Sequence, residues 1–437
     1  MQTPAVSFVL VAVSLCAPAI AQQIWKVNCA GGPGVHFTDL PPAVAAAAPG
    51  DEIWVYRNVI SGSGAGCPPG WPDYTAPIIT KPVRIVGFQL ENGYAAGIPT
   101  ATAFRGVFVI HGIPAGQQVV LSNLSLGQDN LVSPGGIVAI DCAGDILLED
   151  VAYTSLGTPG SYVHFERCAN VVLRGCDIRL GGWPLRFIDS TALLTTTFVA
   201  PVSIWPGIPY EQTSEALRVS NSNVTLIGSV LYGNDGYYPP PNPAFPQQDW
   251  RERPAAVIES GTLRVGPATY LYGGLTGYPY PLNRAWAYRF APPATGTVEQ
   301  DPRSLIYLMP DPPFVPPPIP TDIPATYHAW VVGGENFAVT VIGPPNGFAL
   351  LAVGDWQPVP MPTSLGPLAI TPCSLTILEL APLSASIGSF EWTLHCPTSA
   401  VVAHAFALQA AVLAPNGTLS LTVPSPLTVG WPHGQIP

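Results

Sequence analysis

Seven segments of the chain repeat one order of apolar and polar positions. They are VRIVGFQL from Val83, VVLSNLSL from Val119, ILLEDVAY from Ile146, VVLRGCDI from Val171, LLTTTFVA from Leu193, VTLIGSVL from Val224 and LRVGPATY from Leu263. Positions one and three are apolar or β-branched, position six is mainly apolar or small, and position eight is Leu90, Leu126, Tyr153, Ile178, Ala200, Leu231 or Tyr270. Position five is Gly87, Asn123, Asp150, Gly175, Thr197, Gly228 or Pro267, a turn-forming residue in almost every copy. Strand side chains alternate with period two, so positions one and three share a face. Gly, Asn and Asp tolerate the left-handed backbone of a sharp bend. A strand, a bend and a second strand then predict a coil with an apolar inner face, whose first positions recur after 36, 27, 25, 22, 31 and 39 residues. The short spacings suit one turn of a parallel β-helix, and the longer ones the same turn with a loop inserted. A single turn cannot bury its inner face, so stability has to come from stacked neighbours. A β-sandwich would show strands about every 8–12 residues without holding one bend position through the series.

The same register predicts two outward columns. One is Arg84, Val120, Leu147, Val172, Leu194, Thr225 and Arg264, whose apolar middle calls for a cover of loops. The other is Val86, Ser122, Glu149, Arg174, Thr196, Ile227 and Gly266. Glu149 and Arg174 fall at matched positions on adjacent turns. A cross-rung ion pair is the favoured reading over a catalytic acid with its arginine, because opposite charges side by side on strands stabilise sheets.

Ahead of the repeats, Thr38 or Asp39 is placed to cap a short helix that begins with prolines and runs into AVAAAA. Leu40, Val44 and Ala47 or Ala48 form its apolar face, and Gly50-Asp51 turns into a strand from Glu52. A helix across the end of a coil of strands protects its open edges. The stretch GVHFTDLPPAVAAAAPGDEIWV, residues 34–55, resembles the N-terminal cap of the pectin-lyase-like superfamily of right-handed parallel β-helices. The whole assembly resembles exported β-helix proteins of planctomycete-like bacteria. The resemblance covers about residues 25–290, and it implies a fold more specifically than an activity. Enzymes of this kind are polysaccharide lyases, glycoside hydrolases and epimerases, which use carboxylates, often calcium, and an Arg or Lys on a strand face and its loops.

The rest of the chain divides by composition. Residues 1–21 read as a signal peptide, with an apolar run ending in Ala19-Ile20-Ala21, though no Lys or Arg precedes it. Residues 22–290 form the β-helix. Residues 291–326, containing PDPPFVPPPIP, read as a proline-rich linker or strap. Residues 327–437 carry short alternating runs divided by Gly-Pro, Asn-Gly and Pro-Ser turns, a β-sandwich that could dock on the open end of the helix or hold it to a surface. The chain is thus expected to be all-β, secreted or at the cell surface, with no transmembrane segment.

The 53 prolines and 43 glycines act as turn punctuation, because 48% of residues are apolar and disorder needs the opposite balance. A net charge of −11 without a basic run excludes nucleic acid as an expected partner. It also repels acidic polysaccharides unless a local basic patch or a bridging cation intervenes. In an exported chain the expected disulfides are Cys29–Cys67, Cys142–Cys168 and Cys373–Cys396, with Cys176 left as an inward thiol.

Candidate chemistry lies in two places. Asp141, Asp145, Glu149 and Asp150 are suggestive of calcium, but Asp150 also occupies the bend column and the spacing matches no calcium loop, so no cofactor is expected. Two insertions supply the carbohydrate-binding candidates: Trp205 and Tyr210 in the first, and Asp235, Tyr237, Tyr238, Asp249, Trp250, Arg251 and Arg253 in the second. Aromatic faces suit sugar C–H groups and the charged ends suit hydroxyls. The competing reading is a loop that folds its aromatics onto the column beneath it. No H-E-x-x-H or G-x-S-x-G pattern occurs. Two function classes remain: a non-catalytic module presenting loops to an extracellular polysaccharide or cell-surface component, or a polysaccharide-active enzyme.

Overall fold

The structure is a computed structural model that describes residues 23–56, 74–88, 102–126, 135–154, 162–180, 183–201, 215–234, 253–274, 285–291, 295–306, 317–328, 336–396 and 405–428. The expected signal peptide lies outside the described residues. Among those residues, no helix is long and apolar enough to cross a membrane.

The repeats form a parallel β-helix with three faces. The first face is an 11-stranded parallel sheet from Ile24–Val27 to Ile319–Pro320, including Gln118–Ser122, Asp145–Glu149, Asn170–Arg174, Thr191–Thr195 and Ser222–Ile227. The second and third faces are joined through one long strand, Thr102–His111, which pairs with Leu124–Leu126 on one side and Gly135–Ile140 on the other. One turn shows the grammar. Asp145–Glu149 lies on the first face, Asp150 bends the chain, Ala152–Thr154 lies on the second face, and Tyr162–Glu166 lies on the third. Arg167 then bends the chain back to Asn170–Arg174.

Both corners rest on left-handed residues. Asn123, Asp150, Gly175, Thr196, Gly228 and Ala268 hold φ between 47° and 60° at the first corner, and Asp141, Arg167, Asp189 and Asn221 do so at the second. The Asn123 side-chain amide donates to the Gly87 carbonyl of the preceding turn at 2.8 Å, which fixes its bend role. Immediately after most of these bends a small polar side chain turns inward and donates to the carbonyl two residues back; Leu124 and Val151 are the apolar exceptions. Cys168 Sγ does so to Glu166 at 3.5 Å, Ser190 to Ile188 at 2.7 Å and Ser222 to Ser220 at 2.8 Å. At the other corner Cys176, Thr197 and Ser229 repeat the device.

The inner columns form one apolar core from Val27 to Ile306, in which Ile146, Leu148, Val171, Leu173, Leu194 and Leu226 are buried. Gly87, read as a bend, is not left-handed, and the strand Arg84–Phe88 runs through it. Two registers also differ from expectation. Ala192, not Leu193, pairs with Val171 and Val224, so Ala192 and Leu194 point inward and the bend is Thr196. In the Leu263 segment the bend falls at Ala268, one residue late, which turns Leu271 inward and Tyr270 outward. The helix Leu40–Ala46 caps the N-terminal end, with Asp39 Oδ1 accepting from the Leu40 N–H at 2.8 Å and Leu40, Ala43 and Val44 buried. Ladder pairing also continues beyond residue 290: Thr297–Gln300 and Ile319–Pro320, inside the stretch read as a linker, extend the first face.

The C-terminal residues form a three-stranded antiparallel sheet of Ala325–His328, Asn336–Ile342 and Ser389–His395, and a six-stranded sheet built on Phe348–Thr363 and Ala405–Leu413. Val339, Val341, Leu351, Trp392, Leu408 and Val412 fill the space between them. This domain packs on the side of the helix. Trp356, Ala369, Ile370 and Ala407 pack on Val120, Leu147 and Val172, with Leu193 beside them. The apolar outward column is therefore covered by a folded domain instead of by loops. The physical reason is area: four successive turns present a flat apolar strip that a sheet face matches.

Candidate functional site

The Glu149–Arg174 pair forms as the register requires, with the two residues as Cα partners and their charged groups in contact. Its surroundings differ from a strand face open to solvent. Glu149 is 0% and Arg174 3% exposed, because the C-terminal domain closes over them. The Arg174 guanidinium also donates to His328 Nε2 of that domain. A nitrogen that accepts from guanidinium carries no proton, so the ring proton sits on Nδ1 and is donated to Ser425 Oγ at 2.7 Å. Burial, reinforced by the Arg174 charge, holds the His328 pKa well below its ordinary value. Burial lowers Arg174 to about 9. The trio is not a nucleophile and its base: His328 already donates to Ser425 and its other nitrogen is occupied. No polymer can reach these groups while the domain is docked.

The four carboxylates weighed for calcium do not converge. Asp141 pairs with Arg167 at 2.5 Å on the far corner, Asp145 accepts from Asn170 at 2.8 Å, and Asp150 lies 3.7 Å from Arg174 at the bend. Among the described residues no group of three His, Cys, Asp or Glu is arranged to hold a metal.

The second face carries an aromatic ladder. Phe198, Tyr232 and Tyr272 follow one another on successive turns, with ring centroids 5.8 and 4.9 Å apart, and Tyr270 lies parallel to Tyr272 at 6.2 Å. Tyr232 is 38% and Tyr270 41% exposed. Arg179, paired with Asp177 at 3.0 Å, sits 5.7 Å from the Phe198 ring centre. The rings mostly face each other, so the ladder offers solvent its edges and phenol groups. The third face carries a column of His164, Arg186, Arg218, Val257 and Arg289 on successive turns. Arg218 lies between Glu215 at 2.5 Å and Glu259 at 3.5 Å, and His164 lies 3.3 Å from Glu166. Arg186 and Arg289 make no ion pair among the described residues.

Between these two faces lies the corner from which the long loops leave. Phe198–Pro201, Val230–Tyr232 and Tyr270–Tyr272 lead into segments 202–214, 235–252 and 275–284. These strands are neighbours in the ladder, so the three segments start on consecutive turns about 4.8 Å apart. Trp205, Tyr210, Asp235, Tyr237, Tyr238, Asp249, Trp250 and Arg251 lie outside the described residues. Arg253 is described: its N–H donates to Asn234 at 3.1 Å and its carbonyl accepts from Gly274 at 3.0 Å, which ties the foot of its loop to the next turn. The ladder residues Phe198, Tyr232 and Tyr272 went unnoticed in the sequence. Their signal was the outward position beside the inward residue of each second strand, before Val199 for Phe198 and after Leu231 and Leu271 for Tyr232 and Tyr272, hidden by the slipped register of two segments.

The cysteines depart from expectation. Cys142, Cys168 and Cys373 are free thiols, so neither Cys142–Cys168 nor Cys373–Cys396 is bridged, and Cys176 is a buried thiol as expected. Cys142 and Cys168 do lie on adjacent turns, but their sulfurs donate to carbonyls, Cys142 to Ile140 at 3.4 Å and Cys168 to Ala139 at 3.5 Å. Cys396 is buried at the end of the Ser389–His395 strand, whereas Cys373 is exposed in the turn before Thr376–Pro382, which belongs to the other sheet. Cys29 is disulfide-bonded, and Cys67, the partner expected for it, lies outside the described residues. No family model and no curated protein matches the chain.

Proposed function

We propose that this is an exported, non-catalytic carbohydrate-binding protein of the pectin-lyase-like kind. Its ligand site is the corner at which segments 202–214, 235–252 and 275–284 leave the helix. The observation that carries this reading is the burial of Glu149 and Arg174 beneath the C-terminal domain. It removes the matched acid–arginine pair of the strand face from any polymer and leaves the loop corner, flanked by an exposed tyrosine ladder, as an aromatic surface in reach. Recognition sites commonly sit on loops carried by a rigid scaffold. The partner is an extracellular polysaccharide or another cell-surface component. Bridging of Cys29 by Cys67 belongs to the same reading, because export exposes the cap to an oxidising medium.

A glycan array with the full chain, followed by titration calorimetry on the best hit, tests the proposal. Trp250→Ala should weaken binding about ten-fold or more, as loss of a central aromatic anchor does. Glu149→Gln should leave affinity unchanged. The alternative, a polysaccharide lyase, hydrolase or epimerase, predicts reducing ends or unsaturated products from a polymer and their loss in Glu149→Gln. Appearance of such products would replace the binding reading.

A further inference from the structure

We propose that the C-terminal domain is an acid-released cover, undocked from the first face of the β-helix by protonation of His328 while both domains stay folded. This does not depend on the glycan reading. The interface consists of an apolar patch, Trp356, Ala369, Ile370 and Ala407 on Val120, Leu147 and Val172, and a polar lock at Arg174–His328. The lock requires a bare Nε2, since only a lone pair can accept from Arg174. The groups around the ring are few. Arg174 faces Nε2, Ser425 Oγ faces Nδ1, the Phe337 ring stands edge-on at 6.4 Å, and Val339 is the neighbour across the sheet. Glu149 and Asp150 lie against Arg174. No carboxylate is paired with the His328 ring among the described residues.

Protonation therefore replaces a hydrogen bond with an imidazolium against a guanidinium at a site that excludes water. Burial pushes the Asp150 carboxyl, 3.7 Å from Arg174, well above its ordinary value. The folded pKa of His328 is depressed by burial and by Arg174. The docked state is consequently favoured above the ordinary imidazole value of about 6.5 and is lost as pH falls below it. Undocking precedes unfolding because the two domains have separate cores, one through Val171 and Leu173 and the other through Val341 and Trp392. The undocked domain stays tethered at the helix end, where Arg303 donates to the Gly343 carbonyl at 2.6 Å and pairs with Asp322 at 2.5 Å.

Hydroxyl-radical footprinting of the full chain from pH 8 to pH 4, read by mass spectrometry, tests this. Trp356 reports the interface and Trp392 the interior of the sandwich; they are 7% and 3% exposed. Release coupled to one proton should raise Trp356 oxidation up to about ten-fold per pH unit below about 6.5, with Trp392 unchanged. His328→Gln, which can accept from Arg174 without titrating, should flatten the profile, and His328→Asn serves if that variant does not fold. The proposal is overturned if wild-type Trp356 stays protected until Trp392 opens with it, or if the non-titrating variant responds as the wild type does.

Discussion

Breaking the buried pair under the C-terminal domain gives the sharpest test of how the two parts are held together. Glu149 is 0% and Arg174 3% exposed, so removing one partner leaves the other charge in a medium that cannot solvate it. Such a break costs about 3–5 kcal/mol, a large fraction of the ~5–15 kcal/mol that stabilises a typical folded domain. Arg174→Met should cost more than Glu149→Gln. It strands the Glu149 carboxylate and also takes the donor from His328 Nε2, whereas Gln at 149 can still accept from the guanidinium. The pair replaced together, Glu149→Leu with Arg174→Met, should recover much of the loss, because well-packed apolar residues often equal a buried ion pair. Urea unfolding followed by tryptophan fluorescence reads all three. At a slope of about 3 kcal/mol per molar, the Arg174→Met midpoint should fall by ~1 M or more. A loss below ~1 kcal/mol in both single variants, or a double variant as poor as Arg174→Met, would refute the argument that an uncompensated charge is the source of the cost.

Other expectations follow from single sites. Leu148→Asp and Leu173→Asp each put a charge into the continuous core and should give insoluble or unfolded protein, checked by circular dichroism of the soluble fraction. Cys168→Ser should change stability by less than ~1 kcal/mol in thermal denaturation, because Ser190 and Ser222 already fill that column with the same bond to the carbonyl two residues back. Asp145 is pushed up to about 7 by burial, partly opposed by the hydrogen bond from Asn170. Its raised value makes its contribution full below pH 3.8 and lost as pH rises through about 7. Asp145→Asn should therefore gain over wild type between pH 4 and pH 8 in parallel melts, and equal it at pH 3.5.

The coil was legible in the sequence because stacked turns impose the same local demand each time. A left-handed bend accepts few residues, so Asn123, Asp150, Gly175 and Gly228 mark it openly. The Thr195-Thr196-Thr197 run carries no such mark, and the Leu193-Leu194 pair before it allows either register, so the reading slipped by one residue there. The Gly266-Pro267 pair concealed a similar slip, and with it the outward turn of Tyr270. The capping helix was legible for the opposite reason: Asp39 and its prolines act within one turn. What the sequence could not supply was the identity of the cover. An apolar outward column says only that something lies on it. The polar lock joins Arg174 to a residue 154 positions away, a distance over which no local pattern carries information. The Cys142–Cys168 pairing failed for a related reason, since adjacency on two turns does not decide between a bridge and two separate bonds to carbonyls.

The breadth of the docked domain bears on how this solenoid comes apart. A stack of repeats is held by contacts between neighbours alone, so it behaves as a one-dimensional chain that can fray or break at its weakest link. Here one rigid body touches Val120, Leu147, Val172 and Leu193, on four consecutive turns. Such a body couples turns that never meet each other, and it welds the middle of the stack into a single cooperative block. Turns from Gly261–Val265 to Ile319–Pro320 lie outside that apolar contact and meet the domain through the hydrogen bond from Arg303 to the Gly343 carbonyl. Fraying under force or heat then starts in the turns outside the block and halts where the block begins.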